Sequence, residues 1–322
     1  MLAREADAMF WIGRYVERAE ATARIVDVQY HSELEGAFPL AQGGEIDPQA
    51  LWGPILAISG DADRFETLYA GEQAERNVLD FFTFDRQNHN SITSCVIRAR
   101  DNARGVREMI SSEMYESLNM FFLEVTRWNV DKILAASPHA FFSQVKSAAQ
   151  LFHGITDRTL PTDEARAFLE CGMYLERADK TARMLDVKYH ILLGVDEVGG
   201  TLDQHQWMAV LKSVGAFEAF RKTHRFGITP TKVVSYLVLN SAFPSSICYA
   251  ITRARHALRE IGGSQNKPPI NRAERLVGRL RADLAYLTAE EIIEMGLHQF
   301  LDQVQIRCIE IGSAISEAYL HP

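Results

Sequence analysis

Apolar residues recur every three or four positions from residue 3 to residue 33, at Met9, Ile12, Val16, Ala19, Ala23, Val26 and Tyr30, which traces one stripe along a long helix. The closing run EEIIEMGLHQFLDQVQIRCIEIGSAISEAYL, from Glu290 to Leu320, is expected to form another such helix. Ser91, and Ser245 or Ser246, stand where an N-cap is wanted ahead of the segments IRAR and TRAR. Two runs, VLDFFTF and VVSYLVL, carry the β-branched and aromatic residues of short strands. Their helical neighbours on both sides assign them to buried helix. The pattern therefore predicts an all-α protein.

The periodic segments also repeat. GRYVERAEATARIVDVQYH, residues 13 to 31, returns 159 positions later as GMYLERADKTARMLDVKYH, with twelve of nineteen residues identical. After residue 46 the offset becomes 155, pairing Trp52 with Trp207, Gly60 with Gly215, Phe65 with Phe220 and the arginines 98, 100 and 104 with 253, 255 and 259. ELEGAFPLAQGGEI, residues 33 to 46, has the composition of a loop that absorbs the change. FFSQV from Phe141 and FLDQV from Phe300 restore 159. Two units, about 1–159 and 160–322, use up the chain and leave nothing for a separate catalytic domain. Two are too few for a solenoid, so they are expected to form a single helical bundle, packed face to face with pseudo-twofold symmetry.

Within the repeat the charged residues are kept: Glu17 and Glu176, Arg18 and Arg177, Arg24 and Arg183, Asp27 and Asp186. At 100° per residue, Glu17, Glu20, Arg24, Asp27 and His31 share a sector about 80° wide, whereas Arg18 points elsewhere. Surface positions such as Ala21/Lys180 and Gln29/Lys188 have drifted; the motif has not. The motif helix is thus expected to run through the interior with partners on more than one face. One reading is an ion-pair lattice, with Glu17 and Asp27 bound by the arginines of the RAR helices, namely Arg98, Arg100, Arg253 and Arg255. The other is that Glu17, Arg18, Glu176 and Arg177 line one pocket, where guanidiniums hold a carboxylate and a glutamate accepts a proton or holds an ammonium. That pocket would take a peptide or amino-acid-like ligand.

Composition narrows the alternatives. A 47% hydrophobic content is ample for a core, and the net charge of −8 is spread without a basic block, so nucleic acid is not an expected partner. No apolar run reaches the roughly 20 residues of a membrane helix, and the acids in MLAREADAMFW do not suit a signal peptide, which points to a cytoplasmic protein with no membrane association. Cys95, Cys171, Cys248 and Cys308 are too scattered for a zinc site or disulfide frame and read as core residues. His31 and His190 read as structural, and a di-metal carboxylate site fails because Glu294 and His298 are matched in the first unit by Ala135 and His139. IGGSQNKPP, residues 261 to 269, lacks phosphate-loop spacing and reads as a linker. No metal and no cofactor is expected.

The tandem motif YVERAEATAR and YLERADKTAR, in a chain opening MLAREADAMFWIGRYVERAE, resembles the bacterial alpha-E family over its full length. The family's Glu-Arg motif falls here on Glu17-Arg18 and Glu176-Arg177; Met173, standing where the first unit has Arg14, leaves the second motif one cation short. The resemblance implies an all-helical fold and a place beside ATP-grasp carboxylate-amine ligases and transglutaminase-like proteins in peptide synthesis or modification. It implies no catalytic residue, and leaves open a non-catalytic accessory role or an enzyme using Glu17 or Glu176 as general base.

Overall fold

The computed structural model describes residues 1–34, 48–192, 201–224, 227–265 and 267–320. Its helices begin with α1 (Ala3–Leu34), α2 (Pro48–Ser59), α3 (Ala62–Tyr69), α4 (Glu75–Thr83), α5 (Ile92–Gly105), α6 (Ser112–Val125), α7 (Val130–Ala135) and α8 (Pro138–Thr159). They continue with α9 (Glu164–Leu192), α10 (Thr201–Ser213), α11 (Phe217–Thr223), α12 (Pro230–Val234), α13 (Ile247–Ile261), α14 (Arg272–Tyr286), α15 (Ala289–Glu294) and α16 (Leu297–Ile315). Single π-helical turns, Ser235–Leu239 and Ser316–Leu320, extend α12 and α16. No strand occurs among the described residues, so the fold is all-α as the periodicity predicts.

The closing run is not one helix: Gly296, at a φ of 94°, breaks it between α15 and α16. Both ambiguous apolar runs are helical. VLDFFTF lies in α4 and its C-cap, with Val78, Leu79, Phe81 and Phe82 buried; VVSYLVL spans α12 and the π-turn after it. The Ser91 hydroxyl accepts from the Ser94 amide at 3.2 Å, and Ser246, rather than Ser245, accepts from the Tyr249 amide at 3.1 Å. The loop read at residues 33–46 lies, from residue 35 on, outside the described residues. The supposed linker at 261–269 is more tightly held than its composition suggests. Buried Glu274 accepts from the Ser264 hydroxyl at 2.7 Å, and Arg259 donates to the carbonyls of Gln265 and Lys267.

The two motif helices form the centre. α1 and α9 pack on each other, α5 and α8 lie against α1, and α13 and α16 lie against α9. The helices run in the same direction: the Met1 amino group meets Glu164 at the start of α9, and Glu17 meets Arg177 further along. Between these points they touch backbone to backbone. A Cβ on Gly13 would stand 2.2 Å from the Leu169 carbonyl oxygen, and one on Gly172 would stand 2.1 Å from that of Phe10, so only glycine permits this crossing. Around it Phe10, Ile12, Val16, Leu169, Leu175 and Ala178 are almost fully buried. Removing each large side chain from water is worth roughly 1.5–3 kcal/mol, which is the main stabilisation of the pair. No helix among the described residues is long and apolar enough to cross a membrane.

Candidate functional site

One turn beyond the glycine crossing on each helix comes a Glu-Arg pair, and the close approach places the pairs within reach of each other. Arg177 donates to Glu17 through Nε and Nη2, both at 2.7 Å. Arg18 donates to Glu176 through Nε at 2.7 Å and Nη2 at 3.0 Å. Each motif's arginine is thus the fork that holds the other motif's carboxylate. Glu176 is fully buried and also accepts from Arg14 Nε at 2.7 Å, while Lys180 Nζ stands 3.7 Å away. Opposite Glu17, Met173 supplies no charge and His153 comes instead, its Nε2 3.5 Å from Glu17 Oε2.

Arg24 and Arg183 flank this centre, each bonded to the acid one turn back on its own helix. Arg24 donates to Glu20 at 2.6 Å and Arg183 to Asp179 at 2.8 Å. Arg183 also caps α2 by donating to the Ile58 carbonyl at 2.8 Å. Gly60 and Gly215, both at positive φ, make room for Arg183 and Arg24 at the ends of α2 and α10. The assembly holds six cations, Arg14, Arg18, Arg24, Arg177, Lys180 and Arg183, against four carboxylates, Glu17, Glu20, Glu176 and Asp179. Buried charge of this density needs compensation pair by pair, and here the cations are in excess.

Electrostatics follow from that excess. Burial pushes the Glu17 carboxyl up, but the Arg177 charge and hydrogen bonds, helped by His153, outweigh it and hold the group at about 2. Glu176 is likewise held well below the carboxylate range by Arg18, Arg14 and Lys180 against the cost of burial. Both are firmly ionised and therefore weak bases at neutral pH. Lys180 goes the other way: burial lowers its ammonium, more than Glu176 and Asp179, at 3.7 Å each, restore it.

The two sides of the centre differ in the space they enclose. Glu17, Glu20, Arg24, His153, Arg177 and Lys180 border a cavity of about 270 Å³ that Thr181, Ser213 and Ser245 also line. On the other side Arg18, Thr22, Asn90, Lys180 and Arg183 border a cleft of only about 40 Å³. The pocket expected from the sequence, with all four Glu-Arg residues on one wall, is therefore divided: Glu17 and Arg177 face the larger cavity, Arg18 the smaller, and Glu176 is sealed between arginines.

Over residues 1–320 the chain matches the family model of "a predicted alpha-helical domain with a conserved ER motif". The chain belongs to the Alpha-E family. No curated protein and no solved structure matches it. In this Alpha-E chain the Glu-Arg motif is the reciprocal clasp between α1 and α9 just described.

The remaining sequence candidates lie elsewhere. Asp27 and Asp186 are bonded to α8 and α16, not to the RAR arginines: Asp27 accepts from Lys146 at 2.6 Å and lies 2.8 Å from His139, and Asp186 lies 2.7 Å from His298. The RAR reading fails because Ala99 and Ala254 take the buried face of their helices, which turns the residues on either side toward the flanks. Arg98 reaches Tyr15, Arg100 reaches Asn119 at 2.9 Å, and Arg253 reaches Glu170 at 3.0 Å. Arg255 borders Arg259 and Arg281, and burial together with these charges lowers its guanidinium. Lys180, Glu20 and His153 were not among the sequence candidates. Lys180 differs from its counterpart Ala21, and that difference was the available signal.

Proposed function

We propose that this Alpha-E chain is a non-catalytic binding component of a peptide synthesis or modification system, and that its 270 Å³ cavity receives the carboxylate end of a peptide or amino acid. The observation that carries the reading is Lys180. Each arginine at the cavity is already hydrogen-bonded to a carboxylate, Arg177 to Glu17 and Arg24 to Glu20, whereas the Lys180 ammonium borders the same space with its ion-pair partners Glu176 and Asp179 each at 3.7 Å and, among the described residues, no carboxylate within hydrogen-bond reach. A ligand carboxylate would supply a hydrogen-bonded partner in place of these longer contacts, and Glu20 would receive the ligand's ammonium. Pockets for drug-sized ligands run from about 300 Å³ upward, so this volume suits something smaller, such as one or two residues. Work alongside an ATP-grasp carboxylate-amine ligase and a transglutaminase-like protein is part of the proposal and rests on the family resemblance alone. The enzyme alternative, with Glu17 or Glu176 as general base, is disfavoured by the ionised state of both groups.

The proposal includes a tandem duplication, residues 1–159 and 160–322, closed about a pseudo-twofold axis at the glycine crossing. The reciprocal contacts of Gly13 and Gly172, the exchanged Glu-Arg bonds and the recurrence of helices α1–α8 in α9–α16 support it. On that scheme the 270 and 40 Å³ spaces are equivalents, since Arg24, Arg177 and Thr181 on the first match Arg183, Arg18 and Thr22 on the second.

Calorimetric titration with dipeptides and their C-terminal amides tests the binding role. Free carboxylates should bind, amides should bind at least about tenfold more weakly, and Lys180→Met should remove the difference while leaving the fold intact. Equal binding of acid and amide, or no binding of either, would refute it. Co-purification with a co-expressed ATP-grasp ligase tests the accessory role separately.

A further inference from the structure

Outside the Glu-Arg centre, Asp27, His31 and His139 bring three ligand atoms to one point on the edge of α1 and α8. His139 Nδ1 lies 2.8 Å from Asp27 Oδ1 and 3.0 Å from His31 Nε2, and His31 Nε2 lies 3.6 Å from the same Asp27 oxygen. We propose that these three groups form a binding site for a divalent transition-metal ion of the zinc class, with the fourth coordination position open to solvent.

The argument starts from hydrogens. Neutral imidazole carries one N–H, and His139 Nδ1 faces two acceptors at once, a carboxylate oxygen and a second imidazole nitrogen. If Nδ1 donates to Asp27, it has no lone pair for His31; if it accepts from His31, its lone pair faces the Asp27 oxygen at 2.8 Å. A cation at the centre of the triangle satisfies all three lone pairs together. Ligands about 2.0–2.2 Å from zinc in a tetrahedron stand about 3.4 Å apart, and the three separations here, 2.8 to 3.6 Å, bracket that value. Asp27 and His31 are one helical turn apart on α1, and α8 brings His139 across.

The surroundings fit the same role. His139 Nε2 is 3.3 Å from the Ser143 hydroxyl, which can hold the ring in the tautomer that leaves Nδ1 free to ligate. Lys146 bonds the other Asp27 oxygen, Oδ2, at 2.6 Å, and so leaves the ligating atom Oδ1 unoccupied by the lysine. Both imidazoles are almost half exposed, at 43% and 49%, so an ion has access. The chain also repeats all three residue types at the 159 offset, as Asp186, His190 and His298, and the Asp186–His298 contact uses the same atoms at 2.7 Å. The His190 side chain lies outside those described. Another cluster, Glu17, Glu20 and His153, has a similar make-up but is a poorer metal site, because Arg177 takes both oxygens of Glu17 and Arg24 takes Oε1 of Glu20.

The test is equilibrium dialysis of the full chain, freed of metal by chelator, against Zn²⁺, with visible spectroscopy of the Co²⁺ form. The expected result is stoichiometric uptake and the d–d absorption of a low-symmetry site. His139→Ala, a half-exposed substitution that should leave the helical circular dichroism unchanged, should abolish one equivalent, and Ser143→Ala should weaken it about 10–100-fold. Absence of uptake by the wild-type chain, or uptake and spectra that His139→Ala leaves unaltered, would overturn the proposal.

Discussion

Adding one methyl group at Gly13 should destabilise the protein, although the same change in an unobstructed helix would stabilise it. Alanine gains about 0.5–1 kcal/mol over glycine inside a helix. Against this, the new Cβ would stand 2.2 Å from the Leu169 carbonyl oxygen and 2.9 Å from the Met173 nitrogen, both backbone atoms with no side-chain freedom to yield. Non-bonded heavy atoms settle at roughly 3.5 Å, so α1 and α9 must part by on the order of 1 Å. Overpacking of a dense core costs about 1–3 kcal/mol, occasionally more, and here the displacement also stretches the 2.7 Å bonds of the Glu-Arg clasp one turn away. The net loss should be about 2 kcal/mol or more. Gly172→Ala should behave alike, since its Cβ would meet the Phe10 carbonyl oxygen at 2.1 Å. Gly278→Ala in α14 is the control: nothing lies within 4 Å of its Cβ position, and it should gain about 0.5–1 kcal/mol. Urea unfolding followed by helical circular dichroism reads all three. If Gly13→Ala and Gly172→Ala stabilise as Gly278→Ala does, the crossing is not backbone-tight and the geometry of the clasp is wrong.

Further outcomes follow from the charges and thiols. Glu176→Gln strands Arg14, Arg18 and Lys180 around a neutral group and should cost about 3–5 kcal/mol, more than Glu17→Gln, which faces the cavity; equal losses in denaturant titrations would contradict the asymmetry. Because folding depresses the Glu17 carboxyl from 4.5 to about 2, its contribution is fully present above pH 4.5 and is lost as pH falls toward 2, so Glu17→Gln should flatten the acid limb of stability against pH. All four cysteines are buried, and burial raises the thiols of Cys95 to about 11 and Cys171 to about 12. The native chain should ignore a thiol reagent that titrates all four after unfolding.

Much of the architecture was legible because helical period is a property of local spacing. The stripe from Met9 to Tyr30 marked α1 and the retained Glu-Arg pairs marked an interior element, but the drift at Ala21/Lys180 did not mark a surface position, because Ala21 is buried and Lys180 stands in the charged centre beside Glu176 and Asp179. What spacing cannot encode is which neighbour a long side chain reaches. Glu17 could have met any arginine, and only the glycine crossing, which sets the α1–α9 distance, selects Arg177 over Arg98. Gly13 and Gly172 stand at matching positions of the repeat but drew no notice in the sequence, because close approach is a tertiary fact. The partners of Asp27 and Asp186 were hidden for a related reason: His139 and His298 lie more than a hundred residues away and carry no local motif.

The clasp joins two carboxylate–guanidinium forks that one gene writes at separate codons. In an assembly of identical chains every substitution would appear on both sides of such a contact, so a lysine that suits one cleft would be forced on the other. Here Arg14 adds a second guanidinium to Glu176 while the matching position, Met173, brings no charge, and each can change without obliging the other to follow. A continuous polypeptide can therefore specialise one face for holding something and the other for holding itself together.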